Sequence, residues 1–153
     1  GSKGLSIVDV RDRTVHSGSS LLHRVETGPL RIDLSATGSW SLTLEGGDDA
    51  VALDFDAHSA ELRLDRKAAS PGLPPSFPSV ESVRLDWLTD TFELQIYVDR
   101  WSVEVFADRG SATITDLMFP ASAIDCIDFS AREECKVHTL KISDLGTAGP
   151  KPH

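Results

Sequence analysis

Short segments in which apolar and polar residues alternate one for one recur along this chain. Residues 30–34 and 40–44 alternate in this way, and the glycine- and aspartate-rich residues 46–49 follow the second segment. Alternation with a period of two places the apolar side chains on one face of a β-strand. Strands separated by turn residues are typical of a sandwich or barrel. We therefore predict an all-β fold, a two-sheet antiparallel β-sandwich of the jelly-roll or lectin-like type.

The pattern also predicts the other elements and the extent of the domain. Residues 70–78 hold four of the eight prolines and predict an irregular loop. At most one short helix or 3₁₀ turn is expected, at residues 5–10 or 19–25. We interpret residues 1–4 as a tag scar and lead-in, 5–145 as a single domain and 146–153 as a flexible tail. Further strands are predicted over residues 51–56, 60–65, 80–85, 92–98, 102–107, 112–119, 123–129 and 137–142.

Charge and hydropathy exclude several classes of partner. The 153 residues carry 24 carboxylates against 15 Lys and Arg, a net charge of -9. An acidic chain without a basic cluster repels phosphate groups, so neither nucleic acid nor an anionic membrane surface is an expected partner. The apolar runs are far shorter than the roughly 20 residues that span a bilayer. A soluble protein of bacterial type is expected, and the compartment stays open between cytoplasm and secretion.

The cysteines and histidines give no sign of a metal site. The five histidines are scattered without ligand spacing, so surface positions and no metal or other cofactor are expected. Cys126 and Cys135 also lack metal spacing. A hairpin turning near Ala131 would bring them opposite each other as a disulfide, but reduced, half-buried thiols are favoured.

One predicted hairpin carries a candidate site. Leu94, Ile96 and Val98 share one strand face, and a connection of two or four residues after Val98 places Val103 and Val105 on the same face. An odd connection would turn half of these apolar side chains into water. The opposite face is a polar strip with two aromatic rings. Such a strip can be a solvent-exposed sheet face, a docking surface for another domain or a sugar-binding surface. Its members are Gln95, Tyr97, Glu104 and Phe106.

Three segments in order resemble a known family. Residues 94–110 read LQIYVDRWSVEVFADRG, residues 115–120 read TDLMFP, and residues 62–70 read LRLDRKAAS. Together they resemble the C-terminal β-sandwich of glycoside hydrolase family 32, whose usual forms are I-F-V-D-R-S-S-V-E-V-F-x-N-D-G, T-x-R-x-F-P and L-x-L-D-R-x-x-S-G. The chain departs from these patterns at Trp101, where the family usually has serine, and at Pro71, which interrupts the Ser-Gly pair.

The resemblance implies that the parent protein is a β-fructosidase of the invertase, levanase or inulinase type. In that family a β-propeller carries the catalytic carboxylates, in a W-M-N-D-P-N block and an E-C block, and an R-D-P block holds the substrate. This chain has no asparagine and no R-D-P sequence. Glu134 and Cys135 spell E-C but follow the sandwich segments instead of preceding them. We therefore expect no catalytic residue on this chain, and a catalytic propeller as the partner domain.

Candidate sugar-binding residues come from the same segments. Paired carboxylate and guanidinium groups suit the vicinal hydroxyls of a sugar, although turn capping and cross-strand pairing explain such pairs equally well. Glu104 opposite Gln95 is a cross-strand pair or a sugar ligand, and Trp101 in a tight turn is a candidate contact to a ligand or another domain. The full set is Asp65, Arg66, Tyr97, Asp99, Arg100, Trp101 and Glu104.

Two functions follow from the resemblance, and a third does not need it. The first is a structural module that docks on the propeller, and it predicts a contiguous apolar patch on one sheet. The second is a fructan-binding module, because carbohydrate-binding module family 66 resembles this sandwich and recognises terminal fructosyl units. The third is an unrelated lectin-like or adhesin sandwich whose hairpin sequence is coincidental.

Overall fold

The computed structural model describes residues 5–25, 29–46, 49–66, 80–84, 92–98, 102–107, 112–117 and 124–145, and none of these residues is helical. The predicted loop at 70–78 and the terminal residues 1–4 and 146–153 lie outside these ranges. The twelve strands are β1 (Leu5–Val15), β2 (Ser20–Arg24), β3 (Leu30–Thr37), β4 (Trp40–Gly46), β5 (Asp49–Asp56), β6 (Glu61–Arg66), β7 (Val80–Arg84), β8 (Phe92–Val98), β9 (Ser102–Ala107), β10 (Ala112–Leu117), β11 (Cys126–Ala131) and β12 (Cys135–Asp144).

The strands form two six-stranded antiparallel sheets. Sheet 1 has the order β1-β12-β3-β8-β9-β10, and sheet 2 has the order β2-β11-β4-β5-β6-β7. The predicted sandwich class is therefore confirmed. The short helix expected at residues 5–10 or 19–25 is wrong, because both segments are edge strands that pair with β12 and β11. The local sequence pattern did not predict these two strands, because pairing with a strand more than 100 residues away decides their conformation.

The core lies between the inner faces of the sheets. Trp40 packs between Phe55 and Phe129, with ring centroids 5.9 and 5.8 Å apart. Residues 30–34 and 40–44 bury every second side chain, as their alternation predicts. The largest fully buried side chains are Trp40, Phe129, Leu30, Ile32, Leu34, Leu42, Leu62, Leu64, Leu94, Ile96 and Ile127.

The register of the β8–β9 hairpin confirms the even connection. Val98 pairs with Val103 and Ile96 with Val105, so four residues separate the paired positions. Both pairs are buried in the core. Their outward neighbours Gln95, Tyr97, Glu104 and Phe106 therefore share the other face of sheet 1.

Hydrogen bonds link the turns at the end of the sandwich where β1 finishes, beside Val15 and Cys135. Ser39 is the centre: its backbone N–H donates to Glu133 Oε2 at 2.9 Å, and its hydroxyl accepts from the Ala57 N–H at 2.8 Å. His58 lies 3.3 Å from the other oxygen of Glu133. The Ser39 N–H and the His58 contact hold the pKa of Glu133 below its ordinary value. We call this end of the sandwich the Ser39 end.

The two cysteines do not face each other. Cys126 opens β11 in sheet 2, on the side away from the core, whereas Cys135 opens β12 in sheet 1 and is buried in the core. Both are free thiols, and both are buried more completely than predicted. The Cys135 thiol donates to the Ser39 carbonyl at 3.0 Å, and burial raises its pKa. The alternative of a disulfide is therefore wrong, because the turn near Ala131 crosses between sheets instead of forming a paired hairpin.

Gly38 and Gly18 allow backbone strain to be separated from steric contact. Both have positive φ, at 107° and 84°. A Cβ on Gly38 would lie 3.0 Å from Cys135 Sγ and from the Glu134 carbonyl oxygen, whereas a Cβ on Gly18 would meet nothing within 4 Å. We expect Gly18→Ala to lower the free energy of unfolding by about 1 kcal/mol through strain alone. Gly38→Ala should cost about 2–4 kcal/mol, because overpacking adds to that strain.

Urea denaturation of the two variants measures this difference. Equal losses at the two positions would contradict the close approach between Gly38 and β12.

Candidate functional site

The candidate site lies on the outer face of sheet 1 and crosses three strands. Tyr97 on β8 stands opposite Glu104 on β9 and opposite Arg31 on β3. In the next row, Gln95 stands opposite Phe106 and Asp33, so the expected cross-strand pair of Glu104 with Gln95 is wrong. A two-residue connection would have paired them, whereas the four-residue connection shifts Glu104 to Tyr97. We call these six side chains the outer strip; each is partly buried. The strip therefore contains the four residues expected from the sequence and two more from β3.

Arg31 is fixed in place by its neighbours. Its Nε and Nη2 atoms donate to Asp33 Oδ1 at 3.2 and 3.0 Å. Its guanidinium carbon lies 5.6 Å from the centroid of the Tyr97 ring, within the range of a cation–π interaction. The hydrogen bond that Arg31 donates to Asp33 raises the pKa of Arg31. This pairing leaves Arg31 charged and oriented across the sheet.

The Tyr97 ring is held from its other side by Phe106. The two ring centroids are 5.7 Å apart and the rings are inclined at 80°, an edge-to-face arrangement. Tyr97 thus lies between a cation and an aromatic ring. The result is a half-buried aromatic surface bordered by charged and amide groups.

The carboxylates of the strip do not form the pair that retaining glycosidases use. Asp33 is on β3 and Glu104 on β9, with β8 between them. Two strand spacings amount to about 10 Å, whereas a retaining pair stands about 5 Å apart. Asp33 is also engaged by Arg31. The strip is therefore suited to contact and hydrogen bonding.

The structure does not bring all of the predicted sugar-binding residues together. Asp65 alternates with the core residues Leu62 and Leu64 and so faces outward from sheet 2, on the opposite side of the sandwich from Tyr97. Arg66 pairs with Val51 at the end of the same strand. Asp65 and the Tyr97–Glu104 pair therefore lie on different sheets and do not form one site. Asp99, Arg100 and Trp101 lie outside the described residues.

Glu134 and Cys135 occupy different environments. Glu134 is exposed, and its carboxylate lies 3.5 Å from His16 Nδ1. Cys135 is buried beneath the turn that carries Glu134. The E-C sequence thus places one side chain in solvent and the other in the core.

Arg31 and Asp33 were not among the predicted site residues. Strict alternation in residues 30–34 places both on one outward face, and that signal was visible in the sequence. What the sequence did not show was that β3 lies beside β8, since Ile32 pairs with the distant Ile96 and no short-range pattern specifies that pair. The cation–π contact depends on that pairing.

The outer face of sheet 2 is lined by small and acidic side chains. Ser41, Thr43 and Ala52 occupy its centre, the Ser41 hydroxyl donates to the Asp54 carboxylate, and Asp128 Oδ1 is buried without a hydrogen-bond partner. Of the described residues, Leu22 alone is a large exposed hydrophobic residue, at 58%. The expected contiguous apolar patch is therefore wrong for the described part of the chain.

Within those same residues, no cluster of three or more His, Cys, Asp or Glu side chains could hold a metal ion. The described residues also include no helix of the length and apolarity that crossing a membrane requires.

Comparison with known proteins identifies the family. The model described as "Glycosyl hydrolases family 32 C terminal" matches residues 7–144. The chain belongs to this family. The levanase of Bacillus subtilis (strain 168) is 30% identical over 103 residues, which cover 65% of this chain and 15% of the levanase.

Solved structures share the fold of this family 32 domain. The exo-inulinase of Aspergillus awamori superposes with a TM-score of 0.78 at 23% identity, over 92% of this chain and 29% of that one. The fructofuranosidase of Schwanniomyces occidentalis, solved with fructose, gives 0.77 at 14% identity, over 91% and 33%. The family 32 domain thus spans at most about a third of the length of these proteins.

The contact between Arg31 and Tyr97 can be measured by a double-mutant cycle. We expect Arg31→Leu and Tyr97→Leu to show a coupling of about 0.5–1 kcal/mol in the free energy of unfolding, since the cation and the ring interact directly. Arg63 is exposed on the other sheet, so Arg63→Leu with Tyr97→Leu should be additive. Additivity in both cycles would contradict the cation–π contact.

Proposed function

We propose that this chain is the non-catalytic C-terminal sandwich of a β-fructosidase and that it docks on the catalytic propeller through the outer strip. The observation that carries the proposal is the composition and fixed geometry of the strip. Arg31, Tyr97 and Phe106 are partly buried and hold one another in place on an otherwise polar sheet. Tyrosine and arginine are enriched at the energetic centres of protein interfaces, where rigid anchors lose little entropy on binding.

This chain covers only part of the length of each relative, which supports a role beside a catalytic domain. The relatives are a levanase, an exo-inulinase and a fructofuranosidase, and about two thirds or more of each lies outside the matched part. The chain has no asparagine, so the W-M-N-D-P-N block is absent from it. The activity on sucrose or fructan therefore belongs to the parent enzyme and not to this sandwich.

The described residues lack the broad apolar patch predicted for docking, so the contact that we propose is a polar one. Interfaces between domains of one chain are more polar than those of obligate dimers. The outer strip offers two aromatic rings, one guanidinium group and two carboxylates. Such a surface binds a partner through paired polar groups around an aromatic centre.

Docking predicts protection of the strip when the catalytic domain is attached. Hydroxyl-radical footprinting with mass spectrometry should show lower oxidation of Tyr97 and Phe106 in the two-domain parent than in this chain alone. His58, which is exposed in the turn after β5, serves as the reference and should react equally in both. Unchanged oxidation of Tyr97 would rule out docking through the outer strip.

Fructan binding is the second candidate, and the same strip favours it. The Tyr97 ring is held between Arg31 and Phe106, and Glu104 stands opposite it. An aromatic ring beside a carboxylate and an amide suits a fructosyl unit, which has both apolar C–H and hydroxyl groups. In this role the isolated chain would bind sugar without any catalytic domain.

Calorimetric titration of this chain with levan and inulin oligosaccharides tests the second candidate. We expect Tyr97→Ala and Glu104→Gln to weaken binding about tenfold, equivalent to about 1.4 kcal/mol. Arg63→Ala, on the outer face of sheet 2, should leave the affinity unchanged. No heat at millimolar oligosaccharide would exclude the binding function.

A further inference from the structure

The described strands form four sheet edges, and two of these edges are in contact with each other. β10 ends sheet 1 and β7 ends sheet 2, and these two strands are in contact. The opposite side of the sandwich carries the other two edges, β1 and β2. Edge strands offer unpaired backbone groups to other strands, and natural proteins usually protect them.

The β1 edge has such protection. Asp12 has a φ of 52°, which interrupts the extended backbone, and the register with β12 shifts between Ser6 and Val8. Arg11, Asp12 and Arg13 are consecutive exposed charged residues. A bulge, a left-handed residue and a charged run each oppose pairing with another strand.

The β2 edge lacks these features. Its five residues, Ser20–Arg24, pair with β11 in continuous register and include neither proline nor glycine. Leu22 lies at the middle of the strand with 58% of its surface exposed. A regular edge with an exposed apolar centre is suited to strand addition.

We propose that β2 pairs with β2 of a second copy of this chain, forming a two-fold dimer with a continuous twelve-stranded sheet. Antiparallel pairing about Leu22 places it against the partner's Leu22. The same register sets Arg24 opposite the partner's Ser20, and Ser20 opposite the partner's Arg24. No like charges face each other, so the strand is complementary to itself, as a two-fold interface requires.

This dimer leaves the outer strip free. The strip is on sheet 1, whereas the pairing extends sheet 2. The dimer and the docking of a catalytic domain are therefore independent, and either can fail without the other.

Light scattering coupled to size-exclusion chromatography tests the dimer on the chain itself. With rising concentration the mass should approach twice the monomer value of 16.6 kDa. Leu22→Lys should raise the dissociation constant about tenfold or more, because two ammonium groups replace the apolar contact on the two-fold axis. Thr14→Lys, on the protected β1 edge, is the matched control and should dimerise normally. A monomer at every concentration, or a dimer that Leu22→Lys leaves intact, would overturn the proposal.

Cross-linking tests the register independently of affinity. Leu22→Cys should form a covalent dimer with a short bis-maleimide, because residues opposite each other have Cβ atoms about 5 Å apart. Ser20→Cys is the control on the same strand and face: four residues, or about 14 Å, should separate it from its counterpart. Cross-linking of both variants to the same extent, or of neither, would contradict pairing about Leu22.

Discussion

The packing of two apolar sheet faces against each other is the constraint on which the rest of this structure depends. Strands such as β3 and β4 contribute every second side chain to that contact, so a shift of one residue in their register would place core side chains in water. Trp40, the first residue of β4, lies between aromatic residues of the two neighbouring strands. Once the inward-facing residues of a strand are set, the residues between them must face outward.

The outer strip is a direct consequence of this parity. Arg31 and Asp33 face outward because Leu30, Ile32 and Leu34 must face inward, and residues two apart on a strand lie close enough to pair. Tyr97 and Phe106 face outward for the same reason on β8 and β9. Fold stability and the candidate surface are therefore coupled, because a substitution that moved the register of β8 would also dismantle the strip.

The Ser39 end shows how the two sheets are held together at their turns. Ser39 receives and donates hydrogen bonds that join the turns after β3, β5 and β11. The close approach of Gly38 to Cys135 brings the β3–β4 turn, which joins the two sheets, onto the first residue of β12. These contacts stabilise the end of the sandwich at which the chain crosses from β11 in sheet 2 to β12 in sheet 1.

The amino-acid sequence determined the all-β class, most strand positions, the even β8–β9 connection and the family, because period-two alternation and ordered motifs are local signals. It also determined that Tyr97 and Glu104 share a face, since parity along one hairpin requires it. Only the tertiary structure decided that β1 and β2 are strands, that Arg31 stands beside Tyr97, and that Asp65 lies on the opposite sheet. These features depend on which distant strands become neighbours, and that choice follows from burial of the whole core.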